Sequence, residues 1–435
     1  MKLTFFQLAL FGLFLLLAII GVMVFAARGG LGGSGSVGKV IVWGTLNQNM
    51  VDSMLSDLRQ QDKSLQNVVY KQQKEDGHTV ELINAMASGA GPDLVLLSQE
   101  DIFSFRDKVA TIPYTAVSQQ TFINSFVSEG QLFLTTNGSL ALPFLVDPMV
   151  MYWNQDMFNS AGVAQPPRYW NELLDIAPRI TTLDANNNVK KSAVALGEWS
   201  NIAHAKQLLS ALFLQAGDPI VSRDSDGTVI VVFGVTPQSA SENPAASALQ
   251  FYTEFVNPTK TIYSWNRALP NSLKAFESGD VAIYFGFASD YSVIKASNPN
   301  LRFAVAQLPQ LKGNSIQSTY GTLWGFAIPR TATNLSGALA VAQKLTNQDA
   351  AAIIAPKSML PSARRDVSIG TEANAVAATF QQSSLMASGW TEPEPSKTDD
   401  IFATMIQSVV SGKATPGEAV SQAAQALSAL IPTIQ

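Results

Sequence analysis

Cysteine is absent from the 435 residues. Its absence removes disulfides, thiolate metal sites and a cysteine nucleophile, and also the lipid-modified cysteine that tethers many exported bacterial proteins. Histidine is almost absent, with His78 and His204 the two in the chain. They fall on separate helical patterns, without a serine elbow beside either, and no His/Asp/Glu cluster shows metal-ligand spacing. Neither a catalytic residue nor a metal site is therefore expected, and no cofactor is implied. Charged residues make up 14% of the chain, the net charge is −5, and Lys and Arg form no runs. Phosphate binding needs a concentrated basic face, so no nucleic-acid partner is expected, and a neutral or cationic small molecule fits better. The phosphate loop Gly-x-x-x-x-Gly-Lys-Ser/Thr is missing as well.

Apolar residues are plentiful at 47%, and the length suits two domains or more. Phe5 to Ala26 is 22 residues without a charge, about 33 Å as a helix, which matches a hydrocarbon core of roughly 30 Å. Residues 1–27 are thus read as a transmembrane anchor. A cleavable signal sequence is the rival, since Lys2 gives a basic start and Val24-Phe25-Ala26 offers small residues at a cleavage site. The stretch "ARGGLGGSGSVG" (27–38) is half glycine, so 28–38 reads as a flexible linker of reach ~20 Å. The folded part begins near Lys39.

From there strand and helix patterns alternate. "KVIVW" (39–43), "NVVYKQ" (67–72) and "LVLLS" (94–98) read as strands, with helical spacing at Met50, Met54, Leu55 and Leu58 behind possible caps Asn47 and Asn49, and again in "HTVELINAMASG" (78–89). That order implies a parallel sheet with helices on both faces, an α/β fold. The second half repeats the theme, with helices at 166–177, 202–217 and 245–256 and strands at "SAVALG" (192–197), "VAIYFG" (281–286), "FAVAQLP" (303–309) and "GFAIP" (325–329); "SDG" (225–227) marks a hairpin turn. In "PFLVDPMVMYWN" (143–154) an acid and a proline split an otherwise buried strand pattern, where an unpaired carboxylate costs several kcal/mol and a proline removes a ladder hydrogen bond.

Open α/β sheets bind ligands at the carboxyl ends of their strands. There this sequence places Thr45, Asn47 and Gln48; Ser98, Gln99 and Glu100; Asp147; Glu198, Trp199 and Asn201; and Phe285 and Phe287. Amides, hydroxyls, a few acids and aromatic rings are what a polyhydroxylated neutral ligand requires, because rings cover its C–H faces while polar groups satisfy its hydroxyls.

With these residues in view the chain resembles the extracellular solute-binding proteins of family 1, the maltose-binding-protein-like substrate receptors of ABC importers. The carrying segments are "VIVWGTLNQN", "HTVELINAMASGAGPDLVLL", "ALPFLVDPMVMYWNQDMFNSAGV", "PPRYWNEL", "KAFESGDVAIYFG", "YGTLWGFAIPRTATNLSGALAVAQKLTN" and "SVVSGKATPGEAVSQAAQAL". The resemblance implies a two-lobe periplasmic-binding-protein-like fold with hinge strands, lobe one being 39–145 with 308–356 and lobe two 146–307 with 357–435. Crossings would fall at Asp147-Pro148, near Gln307–Pro309 and near Pro356–Pro361. The resemblance also implies that Asp147 and Glu100 hydrogen-bond sugar hydroxyls and that Glu198 and Trp199 form an acid-and-aromatic edge. The stacking tryptophan of relatives matches Ala288, so Phe287 or Trp265 would substitute. Trp324, and Trp390 as an exposed aromatic in the polar loop "SGWTEPEPS", would lie on loops facing the cleft.

Each residue also has a plainer reading: Trp43, Trp153 and Trp170 as core, Asp147 as a solvated turn acid, Glu100 as a surface or capping acid, Trp199 as packing, and His78 as a cap or solvated, while His204 is placed at most on a helix beside the cleft. The expected function is an extracytoplasmic, cell-membrane-anchored receptor that binds a sugar or oligosaccharide between its lobes and delivers it to ABC permease subunits, without catalysis. A polyamine or other polar solute, an anchored sensing module, and a glycosidase using Asp147 and Glu198 are the alternatives.

Overall fold

The computed structural model describes residues 36–74, 77–224, 229–235, 243–314, 316–367 and 375–431. The apolar stretch Phe5–Ala26, most of the glycine-rich linker and the turn at 225–227 lie outside the described residues; among those described, no helix is long and apolar enough to cross a membrane.

The strands that position the site are β1 (Val40–Gly44), β2 (Val68–Gln72), β3 (Leu94–Ser98), β4 (Leu142–Asn154), β5 (Val189–Val194), β6 (Val281–Phe287), β7 (Phe303–Gln307), β8 (Thr319–Pro329) and β9 (Ala387–Ser388). The helices used below are α1 (Gln48–Gln61), α2 (His78–Ala87), α3 (Ala205–Gln215), α4 (Asp290–Ser297) and α5 (Pro395–Val410). The helix pattern expected at 166–177 is a short 3-10 turn, Trp170–Glu172, followed by an α-helix over Leu173–Ile180.

One mixed sheet runs β2-β1-β3-β8-β4-β6-β5, with β7 also on β4 and β9 on β8. The pairings β1-β2, β1-β3 and β5-β6 are parallel, as the alternating order implies, while β8 and β4 are antiparallel to their neighbours in the middle. Successive side chains of β4 feed different cores: Met149 and Met151 join the second cluster, Val150 and Tyr152 a third on the other face. Being covered on both faces is why this strand reads as an unbroken apolar run rather than an alternation.

The chain folds as two lobes around separate cores, and β4 and β8 belong to both. Val146 lies in the first core and Met149 in the second; on β8, Tyr320 lies in the second and Leu323 in the first. Their register sets Asp147 opposite Thr322 and Pro148 opposite Gly321, so both strands change core at one level. The strand at 143–154 is continuous through the acid and the proline, contrary to the split its sequence suggests. Pro148 needs no donor of its own there, and its carbonyl accepts from Ala288 N at 3.0 Å.

A second correction concerns β8. A strand was expected over 325–329, but pairing starts at Thr319, so Trp324 sits inside a strand and not on a loop. Gly325 within it serves close approach: a Cβ there would lie 2.5 Å from the Phe133 ring. Beside this stretch β3 ends, and Gln99 takes over its ladder. Its main-chain N donates to Leu323 O at 3.0 Å, its Nε2 donates to Gly321 O at 3.0 Å, and its Oε1 accepts from Leu323 N at 2.7 Å. The side chain is fully buried. Gln99→Leu would leave one carbonyl and one N–H of β8 unpaired, each costing ~1–3 kcal/mol; urea unfolding should show a loss of that size, and unchanged stability would contradict the stapling role.

Candidate functional site

Asp147 stands at the level where β4 changes core, 4% exposed, its Oδ1 accepting from Ser289 N at 3.0 Å. Burial pushes its carboxyl up to about 7; the Asp290 charge adds to this, while the Ser289 bond and His204 oppose it. It is therefore a buried acid and not a solvated turn residue. Asp290, in the first turn of α4, accepts from Tyr284 OH at 2.8 Å and Phe287 N at 3.0 Å, and its Oδ2 lies 3.3 Å from His204 Nε2. His204 precedes α3 with a left-handed backbone, φ 59° and ψ 30°, and meets the Phe287 ring edge-on at 4.8 Å. Such a conformation in a non-glycine residue costs of order 1–3 kcal/mol and persists where its surroundings hold it. Sequence reasoning did not select Asp290 or His204; the one available signal was an acid three residues past the end of a buried strand.

Glu100 reaches a second group. Its Oε1 accepts from Tyr320 OH at 2.8 Å and lies 3.4 Å from Gln207 Nε2 of α3. One residue earlier in α3, Lys206 is buried and paired with Glu392 at 2.8 Å and Asp399 at 2.6 Å. Burial opposes its charge, but Glu392, Glu100 and Asp399 hold its ammonium protonated beyond the ordinary lysine range. Glu392 is pushed up well above the carboxylate range by burial and by Glu100, against the pull of Lys206. Residues 99–100 follow the first core's strand β3, and α3 packs in the second. The first turn of α3 thus brings Glu100 and Lys206 to the junction of the two lobes.

The remaining candidates divide. Asn47 caps α1, its Oδ1 accepting from Met50 N at 3.2 Å. Gln48 donates to Asp52 Oδ2 at 2.9 Å and Tyr70 O at 3.1 Å and accepts from Gln72 N at 2.8 Å, while the Thr45 carbonyl accepts from Gln72 Nε2 at 3.5 Å. These three are held by α1 and β2. Glu198 pairs with Arg267 Nε at 3.3 Å and borders a cavity of about 370 Å³ with Ser200, Thr404 and Gln407, apart from both groups above. Among the described residues no hydrogen bond or ion pair joins it to Asp147, whose partner is Ser289 N. Trp199 is half-buried against the second and third cores, and Trp324 packs against the first and third. Phe287 joins the Asp147 group through Asp290.

Three aromatic or imidazole readings are corrected. Trp390, expected to be exposed, is 2% exposed and stacks on Phe402 at 6.1 Å, because the polar letters around it, Glu392 above all, turn inward to Lys206. Trp265 does not replace the missing stacking ring: it is buried, its Nε1 donating to Asn201 Oδ1 at 3.0 Å. His78, expected as a cap or solvated, is buried without a hydrogen-bond partner among the described residues, and burial pushes its imidazole down.

The profile described as "bacterial extracellular solute-binding protein" matches residues 66–407. The chain belongs to that family. A binding protein of Brucella abortus is 23% identical over 365 residues, 80% of this chain and 82% of that protein. Among solved structures, the cyclic alpha-maltosyl-1,6-maltose binding protein from Arthrobacter globiformis superposes with a TM-score of 0.73 at 16% identity, covering 90% of this chain and 98% of that one. An ABC transporter solute binding protein from Thermotoga lettingae, bound with alpha-D-tagatose, gives 0.65 at 20% identity, covering 91% and 100%. At such identities the likeness establishes the shared two-lobe fold, in keeping with a solute-binding protein whose polar groups meet where the lobes join.

Two measurements follow. Asp147 is protonated in the folded chain up to about pH 7, whereas an unfolded aspartate loses its proton near 3.9. Its contribution to stability is whole below about pH 4 and declines by roughly 1.4 kcal/mol per unit as the pH rises to about 7. Asp147→Asn should remove that part of the slope in urea midpoints at pH 4.5, 5.5 and 6.5, and an unaltered slope would show that Asp147 is ionised throughout. The buried Nε1 of Trp390 has no partner among the described residues, so Trp390→Phe should cost only the packing that the smaller ring leaves unfilled, with no stranded hydrogen-bond partner. Trp265→Phe strands the Asn201 carbonyl and should cost ~1–3 kcal/mol; equal losses in the two variants would contradict these environments.

Proposed function

We propose that this solute-binding protein captures a sugar or oligosaccharide between its two lobes and delivers it to the permease of an ABC importer. The observation that carries the reading is Glu100, whose carboxylate meets Tyr320 and Gln207 at the lobe junction. An acceptor there, with the half-buried Trp324 four residues along β8 from Tyr320 and the half-buried Trp199 eight residues before Gln207, supplies what hydroxyls and C–H faces need. The structural relatives bound to or named for saccharides support the same ligand class. Binding by closure needs the ligand to favour the closed arrangement by its differential contacts.

The expected division, 39–145 with 308–356 and 146–307 with 357–435, shifts at its second passage on this reading: Leu308 and Tyr320 pack in the second core and Leu323 in the first, so that passage lies inside β8 and not at 308. Phe5–Ala26 anchors the receptor outside the cytoplasm, and the linker lets it stand off the membrane. A polyamine is the second reading, favoured by the excess of Glu100, Glu392 and Asp399 over Lys206. The chain binds and does not catalyse.

Tryptophan fluorescence and thermal shift of the full chain against maltotetraose, tagatose and spermidine test this. A saccharide should raise the melting temperature with little dependence on salt, whereas spermidine binding would weaken as ionic strength rises. A response to spermidine alone would overturn the sugar assignment.

A further inference from the structure

A second carboxyl is buried at the level where the strands change core. Glu129, in the turn Ser128–Phe133, is 3% exposed, and neither of its carboxyl oxygens has a hydrogen-bond partner among the described residues. Two glycines enclose it. A Cβ on Gly321 would lie 2.5 Å from Oε2, and one on Gly389 would lie 2.5 Å from Oε1. Both glycines stand where the chain passes between cores: Gly321 separates Tyr320 of the second from Leu323 of the first, and Gly389 separates Ala387 of the first from Trp390 of the second.

The charged and titratable groups around this turn do not neutralise it. Glu100 faces it from the end of β3, and Tyr320 on β8 and Glu392 beyond β9 belong to the same acidic group. Asp147 is the nearest acid of β4 in this layer. Lys206 is engaged by Glu392 and Asp399. On the far side Arg365 donates to Phe126 O and Ser128 Oγ, and Arg364 pairs with Asp366. A bare carboxylate in such a place is costly unless paired, and a proton removes the cost.

We propose that Glu129 is a positioning residue of the hinge: its carboxyl fits between Gly321 and Gly389 only when neutral, so closing the lobes takes up a proton and raising the pH favours the open form. This rests on the reading of lobe closure given above. Burial, with the Glu100 charge beside it, pushes the Glu129 carboxyl up to about 8, while a glutamate in water titrates near 4.3. Below about 4.3 both arrangements carry the proton and closure is independent of pH. Between there and about 8 the closed form alone holds it, so the closing equilibrium falls about tenfold per pH unit. Above about 8 the dependence ends.

Small-angle scattering of the purified full-length chain between pH 5.5 and 9, without added ligand, provides the test for wild type, Glu129→Gln and Gly389→Ala. The wild-type radius of gyration should rise with pH, Glu129→Gln should stay compact throughout, and Gly389→Ala, whose new Cβ meets Oε1, should be expanded even at pH 5.5. In parallel, affinity for maltotetraose should fall with rising pH in wild type, approaching tenfold per unit where the open form predominates, and stay level in Glu129→Gln. A wild-type radius independent of pH, or a Glu129→Gln variant that follows wild type, overturns the proposal. If maltotetraose does not bind, the sugar assignment suffers while scattering still decides the role of Glu129.

Discussion

The structure turns on a desolvation constraint: a carboxyl, Asp147, is carried into the interior at the register where the long central strands leave one core for the other. Asp147 opposite Thr322, and Pro148 opposite Gly321, mark that level on both strands. The rest of β4 is apolar as far as its terminal Asn154, and Asp147 is the one acid that these two strands carry. A polar group in this position is costly unless satisfied, so the surroundings are organised around it: Ser289 N bonds Asp147, and Asp290, Tyr284 and His204 form the next layer.

From that layer the functional geometry follows. At the seam the main chain of both strands is continuous while their side chains pass from one core to the other, the arrangement of a hinge between two bodies. The first turn of α3 places His204, Lys206 and Gln207 against it from one lobe, and the end of β3 places Gln99 and Glu100 against it from the other. On the proposed reading a ligand held there would contact both halves and so bias their relation. The left-handed His204 lies in the same place, consistent with strain being tolerated where the neighbours fix it.

Much of the fold was legible because apolar periodicity reports burial. The strands β1, β2 and β3 and the helix stopped near Gly89 follow their patterns closely. Where reading failed, one letter had two physical uses. Trp324 between two glycines reads as a loop, yet Gly321 and Gly325 lie inside β8 and admit Glu129 and Phe133. The polar run after Trp390 looks solvated, yet Glu392 turns in to meet Lys206, a pairing 186 positions apart that no local pattern encodes. The site was legible in part: Glu100 and Asp147 reach the junction, whereas Asn47 and Gln48 are consumed by capping and by an amide exchange with Gln72. Asp290 was missed, and His204 was read no further than a helix beside the cleft, because a backbone angle and a contact across the sequence leave no local pattern.

The central claim is that burial keeps the Asp147 carboxyl neutral inside the seam. Infrared difference spectroscopy between the wild-type chain and Asp147→Asn at pH 5.5 measures that state directly. The account predicts loss of a carbonyl band from a protonated carboxylic acid; loss of carboxylate bands alone would mean that the seam holds a charge, and would contradict it.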